Sequence, residues 1–189
     1  MSKIILSVDD GCESDLRVAE LAEAYDLDCT FYWPVNWIAY AYKKGFEPLS
    51  WEQANQIAMN HSIGSHGISH LRLTRIPTDA AMDEIKDSQI MLSKLFNQTV
   101  NSFCPARGYT NPELTEYTMK FYDHQRLTVG WDGEYKLVHV HPNSGVNDNK
   151  DWKEYAKDYD KVHLWFHSWE LNQHNLWDEL EEYLDAASS

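Results

Sequence analysis

Lys3-Ile4-Ile5-Leu6-Ser7-Val8-Asp9-Asp10-Gly11 passes from an apolar, β-branched run to an acidic stop. Lys3 to Val8 reads as a buried strand, and Asp9-Asp10-Gly11 as the loop it feeds. The same signal recurs at Cys29 to Trp33, ended by Pro34; at His61 to Gly64; and at Asn101 to Cys104, ended by Pro105. Leu127 to Val129, Lys136 to Val140 and Lys161 to Phe166 bring the strand candidates to about seven. Helical spacing fills the intervals. Leu16, Val18, Ala19, Leu21, Ala22 and Tyr25 repeat at roughly 3.6 residues. Ser50-Trp51-Glu52-Gln53 is a capping-box start for a helix through about Met59. Thr78, as N-cap, opens a helix to about Phe96, Asn111-Pro112 starts another, and Asp151 to Tyr159 and Leu176 to Leu184 give two more.

Alternating strand and helix predicts an α/β fold with a largely parallel sheet, either an open doubly wound sheet or a closed, irregular barrel. No repeat, low-complexity stretch or linker interrupts it, so residues 1–189 are expected to form one domain. Hydrophobic residues make up 43% of the chain and aromatics 13%, enough for a full core and against global disorder.

A net charge of −14 without a Lys/Arg stripe repels a phosphate backbone and an anionic membrane surface, so neither nucleic acid nor membrane is an expected partner. The odd set Cys12, Cys29 and Cys104 lacks zinc-ribbon spacing and reads as free thiols of a reducing compartment. The apolar run before Ser7 is too short for a signal-peptide core or a membrane span, so the chain as written is expected to be cytoplasmic.

In parallel α/β folds reactive groups collect just past the carboxyl ends of strands. Asp9-Asp10, His66 with His70, Arg107 and His167 all stand at such places. His66-Gly67-Ile68-Ser69-His70 sets two imidazoles four apart, which on a helical turn share a face and suit two ligands of one ion. Two His and a carboxylate leave coordination positions open for water and substrate. Asp9-Asp10 offers that carboxylate and a second one to face the water, although Asp-Asp-Gly alone is an ordinary turn. His163, Trp165 and His167 share one strand face. His163 reads as a satisfied core or surface histidine, and His167, at the strand's end, as the better acid.

Taken together, these segments resemble the polysaccharide deacetylases, the NodB-homology domain of carbohydrate esterase family four. Ser7-Val8-Asp9-Asp10-Gly11 is similar to the first motif of that family, and His66-Gly67-Ile68-Ser69-His70 to its His-x-x-x-His motif. Phe103-Cys104-Pro105-Ala106-Arg107-Gly108 resembles the third motif, and Trp165-Phe166-His167 stands where the last places a Leu-x-His. The resemblance spans about residues 3 to 170. It implies a distorted, incomplete (β/α) barrel of about seven parallel strands. It further implies a divalent metal, zinc by preference, on Asp10, His66 and His70, with Asp9 as general base and His167 as general acid. The implied reaction removes an N-acetyl or O-acetyl group from a sugar or glycan, with Arg107 in the catalytic set and Trp131 and Trp165 as substrate-binding rings. Cys104 departs from the pattern, standing where many members carry the Arg that orients the base, and Arg107 stands where many carry Tyr. The holder of the acid histidine would be Trp131-Asp132 or Glu170. A small non-sugar amide as substrate, and a catalytically silent carbohydrate-binding protein, are the alternatives.

Overall fold

The structure, a computed structural model, describes residues 3–188. Its framework is a single sheet. β1 (Lys3–Asp9) pairs in parallel with β2 (Cys29–Trp33) on one side and with β8 (Lys161–His167) on the other. Beyond β2 lie β3 (Ser62–Ser65), β4 (Ser102–Phe103) and β5 (His124–Gln125), all parallel. Beyond β8 lies parallel β7 (Tyr135–His139), and antiparallel β6 (Trp131–Asp132) ends the sheet. The strand order is therefore β5-β4-β3-β2-β1-β8-β7-β6.

Alternation along the strands sends two kinds of residue to two faces. Leu6, Val8, Phe31, Trp33, Ile63, Leu164 and Phe166 face outward and are buried under the helices with Val18, Ile57, Ile85, Leu92 and Leu180. Ser7, Asp9, Tyr32, Trp165 and His163 face inward, so the concave side of the sheet carries the polar groups. The curl brings the two edge strands together: His124 Nε2 on β5 lies 2.8 Å from Asp132 Oδ1 on β6. Side chains rather than backbone ladder hydrogen bonds bridge that seam, which makes the barrel incomplete. Gly64 has a steric reason, since a Cβ there would lie 2.4 Å from the Tyr32 ring that fills the interior.

The helices are α1 (Asp15–Ala24), α2 (Trp37–Lys44), α3 (Trp51–Asn60), α4 (Thr78–Phe96), α5 (Pro112–Thr118), α6 (Trp152–Ala156), α7 (Ser168–His174) and α8 (Trp177–Ser188). The Ser50 capping box closes in both directions, and the Asn111 side chain caps α5 by accepting from Leu114 N at 2.9 Å. One strand assignment is corrected. Leu127 to Val129 is not a strand; the ladder falls on His124–Gln125, because Asp123 N and His124 N bond back to Asn101 O and bring that pair alongside β4. Seven strands of the sheet are parallel, as expected, and the two-residue hairpin partner Trp131–Asp132 adds an antiparallel eighth at the edge. Sequence periodicity also passes over α2 and α7. The first is apolar through Trp37-Ile38-Ala39-Tyr40-Ala41-Tyr42, without an alternating pattern, and the second starts at the residue after β8 ends.

Candidate active site

The loop after β1 turns sharply. Asp10 adopts φ 88° and Gly11 φ 78°, a left-handed backbone that costs a non-glycine residue of the order of 1–3 kcal/mol. That turn drives the Asp10 carboxylate inward beneath the loop after β3, where it is 1% exposed. His70 Nε2 lies 3.1 Å and His66 Nε2 3.8 Å from the same atom, Asp10 Oδ1. The three candidate ligand atoms lie within 4.8 Å of one another. The two histidines do not meet on a helical turn. Residues 66–70 form an irregular loop with left-handed Gly67 and His70, φ 81° and 53°, and the Glu84 carboxylate holds it by accepting from Ile68 N at 2.7 Å and Ser69 N at 3.0 Å.

The surroundings fix the state of each group. His66 Nδ1 lies 2.7 Å from the Cys104 carbonyl, so that nitrogen carries the proton and donates, leaving Nε2 with a free lone pair. Burial pulls His66 down to a pKa of about 4 and keeps it neutral. His70 stacks on the Tyr40 ring at 4.0 Å. Asp10 Oδ2 accepts from Trp169 Nε1 at 3.1 Å, whereas buried Asp10 Oδ1 has no hydrogen-bond partner. Against the cost of burial, His167, His70 and His66 hold Asp10 well below the ordinary carboxylate range. An ionised oxygen, out of water and aimed between the Nε2 atoms of two imidazoles, is a donor set that fits a divalent cation.

Beside this trio, Asp9 points into the barrel and pairs with the buried Arg126 guanidinium through Oδ1. Its pKa is lowered: burial opposes ionisation, but Arg126, His66 and His167 outweigh it. The Cys104 thiol, kept protonated by burial, lies 4.0 Å from Asp9 Oδ2. On the far side His167 presents Nε2 at 3.6 Å from Asp10 Oδ2, and its Nδ1 lies 2.8 Å from Glu170 Oε2. Burial would depress His167, yet Asp10, Glu170 and Asp9 lift it to about 9, so the ring is an imidazolium at neutral pH. Glu170 Oε2 also meets His139 Nε2 at 3.1 Å, and His139 stacks on Trp165 at 3.8 Å. Asp9, His66, Arg107, Trp165 and His167 line a cavity of about 290 Å³.

Residues 2–124, well over half of the chain, match the sequence model of the family described as Polysaccharide deacetylase. The chain belongs to the polysaccharide deacetylase family. Solved members share its fold across nearly all of its length. A family 4 carbohydrate esterase from Streptomyces lividans, in complex with acetate, is 17% identical with TM-score 0.69, covering 99% of this chain and 90% of that one. Peptidoglycan deacetylase PdaC from Bacillus subtilis is 19% identical with TM-score 0.64, covering 99% and 83%. A family pseudoenzyme from Bacillus anthracis is 16% identical with TM-score 0.62, covering 96% and 61%. No curated protein sequence matches the chain.

Within this polysaccharide deacetylase fold the Arg expected at the third motif is replaced from elsewhere. Arg107 is exposed at φ 65° and makes no ion pair with Asp9; Arg126, at the carboxyl end of β5, does. Its signal in the sequence is a lone Arg before the apolar run Leu127 to Val129, whose strand-like composition masks it. Glu170 holds His167. Asp132 instead holds His163, whose Nδ1 lies 2.7 Å from Asp132 Oδ2 and whose Nε2 lies 2.8 Å from Ser7 Oγ. That Ser-His-Asp chain ties β1, β8 and β6 inside the barrel, and Ser7 is fully buried where no substrate reaches it. Trp131 does not line the site. It pairs with Lys136, level with Val162 and Ile4, so it sits near the amino-terminal end of β1 while Asp9 lies at the other end. Its ring packs on Tyr159 at 5.6 Å. Trp165 does face the cavity, 5.2 Å beneath the Arg126 guanidinium.

Proposed function

We propose that the protein is a metal-dependent hydrolase that removes the acetyl group from an N-acetylated, or O-acetylated, sugar or glycan, with Asp10, His66 and His70 holding the cation. The observation that carries this reading is Asp10 Oδ1, which is buried, ionised and faced by Nε2 of His70 at 3.1 Å and Nε2 of His66 at 3.8 Å. Nitrogen and oxygen donors in a three-residue set favour zinc. A divalent cation there supplies Lewis acidity, which polarises the acetyl carbonyl and eases deprotonation of water.

The chain's own groups supply the proton transfers. Asp9, kept ionised and oriented by Arg126, takes a proton from the attacking water, a role worth about 10²–10⁴-fold. His167, a cation fixed through Nδ1 by Glu170, gives its Nε2 proton to the departing amine nitrogen, which otherwise leaves as an unstable anion. Trp165 forms a rigid wall and Arg107 the exposed rim of the cavity. The glycan class is supported by relatives named as peptidoglycan deacetylase and carbohydrate esterase. We take residues 1–189 as one such domain. Three buried free thiols support a reducing, cytoplasmic setting; among the described residues, no helix is long and apolar enough to cross a membrane.

Metal content and acetate release after zinc loading test the proposal. Asp10→Ala and His70→Ala are expected to lose stoichiometric metal and turnover together, and retained metal contradicts the ligand set. Acetate from chito-oligosaccharides in preference to small amides supports the sugar. Glycan binding with no acetate from any acetylated sugar makes the protein a catalytically silent carbohydrate binder.

A further inference from the structure

The chain carries sixteen Lys and Arg against thirty Asp and Glu, yet five of the sixteen line one groove that contains no carboxylate. Lys43 and Lys44 come from the end of α2, Arg72 and Arg75 from the turn after His70, and Arg107 from the loop after β4. The groove encloses about 700 Å³, within the range of small-ligand sites. It opens directly onto the candidate centre, since His70 forms part of its wall and Arg107 lines both the groove and the cavity holding Asp9 and His167. None of the five groove cations makes an ion pair with a described residue, whereas six of the other eleven do. Arg72 is held in place: its guanidinium lies 3.4 Å over the Tyr109 ring and its Nε donates to Thr74 Oγ1 at 3.4 Å.

Clustering unpaired cations is unfavourable by mutual repulsion, and an acidic surface offered carboxylates to relieve it. A concave wall of uncompensated charge concentrates anions from solution, and guanidinium forks match the paired oxygens of phosphate or carboxylate. From this geometry we infer that the acetylated substrate carries an oxyanion, a phosphate or a carboxylate, seated in the groove of Lys43, Lys44, Arg72, Arg75 and Arg107 while its acetyl group enters the adjoining cavity. The inference rests on the deacetylase reading and narrows its substrate class to anionic acetylated sugars. The groove cations act on binding, so their effect falls on KM rather than kcat.

The test compares acetate release by the zinc-loaded protein from N-acetylglucosamine, from N-acetylglucosamine 6-phosphate and from a hyaluronan disaccharide that carries a uronate. At low salt kcat/KM is expected to favour at least one anionic substrate by about tenfold or more, mainly through KM, and the advantage shrinks as NaCl rises towards about 0.5 M. Preference for the phosphate or for the uronate identifies the oxyanion. Arg72→Gln/Arg75→Gln is expected to collapse the anionic-to-neutral ratio, whereas Lys86→Gln, on α4 outside the groove, preserves it. Equal or better use of the neutral sugar, or a ratio untouched by the double substitution, overturns the inference and leaves the deacetylase reading standing. If neither these three nor chito-oligosaccharides release acetate, the deacetylase reading is what fails, and calorimetry decides the groove separately. Salt-sensitive binding of N-acetylglucosamine 6-phosphate that disappears in Arg72→Gln/Arg75→Gln supports it; absence of binding by both anionic sugars overturns it.

Discussion

Replacing Arg126 with Met tests how the barrel interior sustains the candidate base. The Arg126 side chain is 0% and the Asp9 side chain 3% exposed, so the pair has almost no water to fall back on. Removing one member of such a pair leaves the other charge buried and uncompensated, a loss of about 3–5 kcal/mol. The guanidinium also lies 4.8 Å from the Tyr32 ring and 5.2 Å from that of Trp165, contacts that the shorter thioether only partly replaces. For a chain of 189 residues each kcal/mol moves the melting temperature by about 2–4 °C, so Arg126→Met is expected to melt lower by roughly 6–20 °C. Arg126 is the foremost of the influences that lower the Asp9 pKa, so without it burial acts with less opposition and the pKa rises. The acid limb of the kcat/KM profile then moves to higher pH. Thermal denaturation of Arg126→Met, Asp9→Asn and the double variant closes a cycle, in which the double variant should lose less than the two single losses added. A melting temperature within about 2 °C of wild type together with an unmoved acid limb would refute the assigned pairing.

Three further expectations follow from neighbouring groups. Asp9→Asn should retain metal but lose turnover by at least about 10²-fold, and an undiminished rate removes Asp9 from the role of base. Glu170→Gln removes the carboxylate that both orients His167 and raises its pKa, so kcat should fall by about 10–100-fold with metal content unchanged. Wild-type kcat in that variant would assign Glu170 to the His139 contact alone. Asp15 is buried between Trp33 Nε1 at 2.9 Å and Ser168 Oγ at 2.5 Å, and burial raises its pKa to about 8. Because the folded protein holds that proton more tightly than the unfolded chain, its stabilising contribution is full below the ordinary Asp pKa and lost as pH rises towards 8. Asp15→Asn, which does not titrate, should therefore gain stability relative to wild type between pH 5 and 8; parallel melting curves for the two proteins across that window contradict this account.

What the sequence determined by itself was local. Apolar runs stopped by Asp-Asp-Gly or Pro locate β1 and β2 to within a residue or two, and the apolar run Lys161 to Phe166 does the same for β8, because a strand's pattern is written in adjacent positions. The placing of Asp9, Asp10, His66, His70 and His167 at strand ends follows from the same signals. Tertiary structure decided which of these meet, and with which partners. Arg126 reaches Asp9 only because the sheet curls, carrying the end of β5 across the barrel interior. Glu170 rather than Asp132 holds His167 because α7 starts directly after β8 and sets Glu170 three residues on, while Asp132 on the hairpin is drawn to His163 and His124. Trp131 lies at the wrong end of the sheet for a reason of register, not composition. The cationic groove joins three segments far apart in a strongly acidic chain. Periodicity is a property of neighbours along the backbone, whereas charge pairing depends on separations that exist only after the sheet has closed on itself.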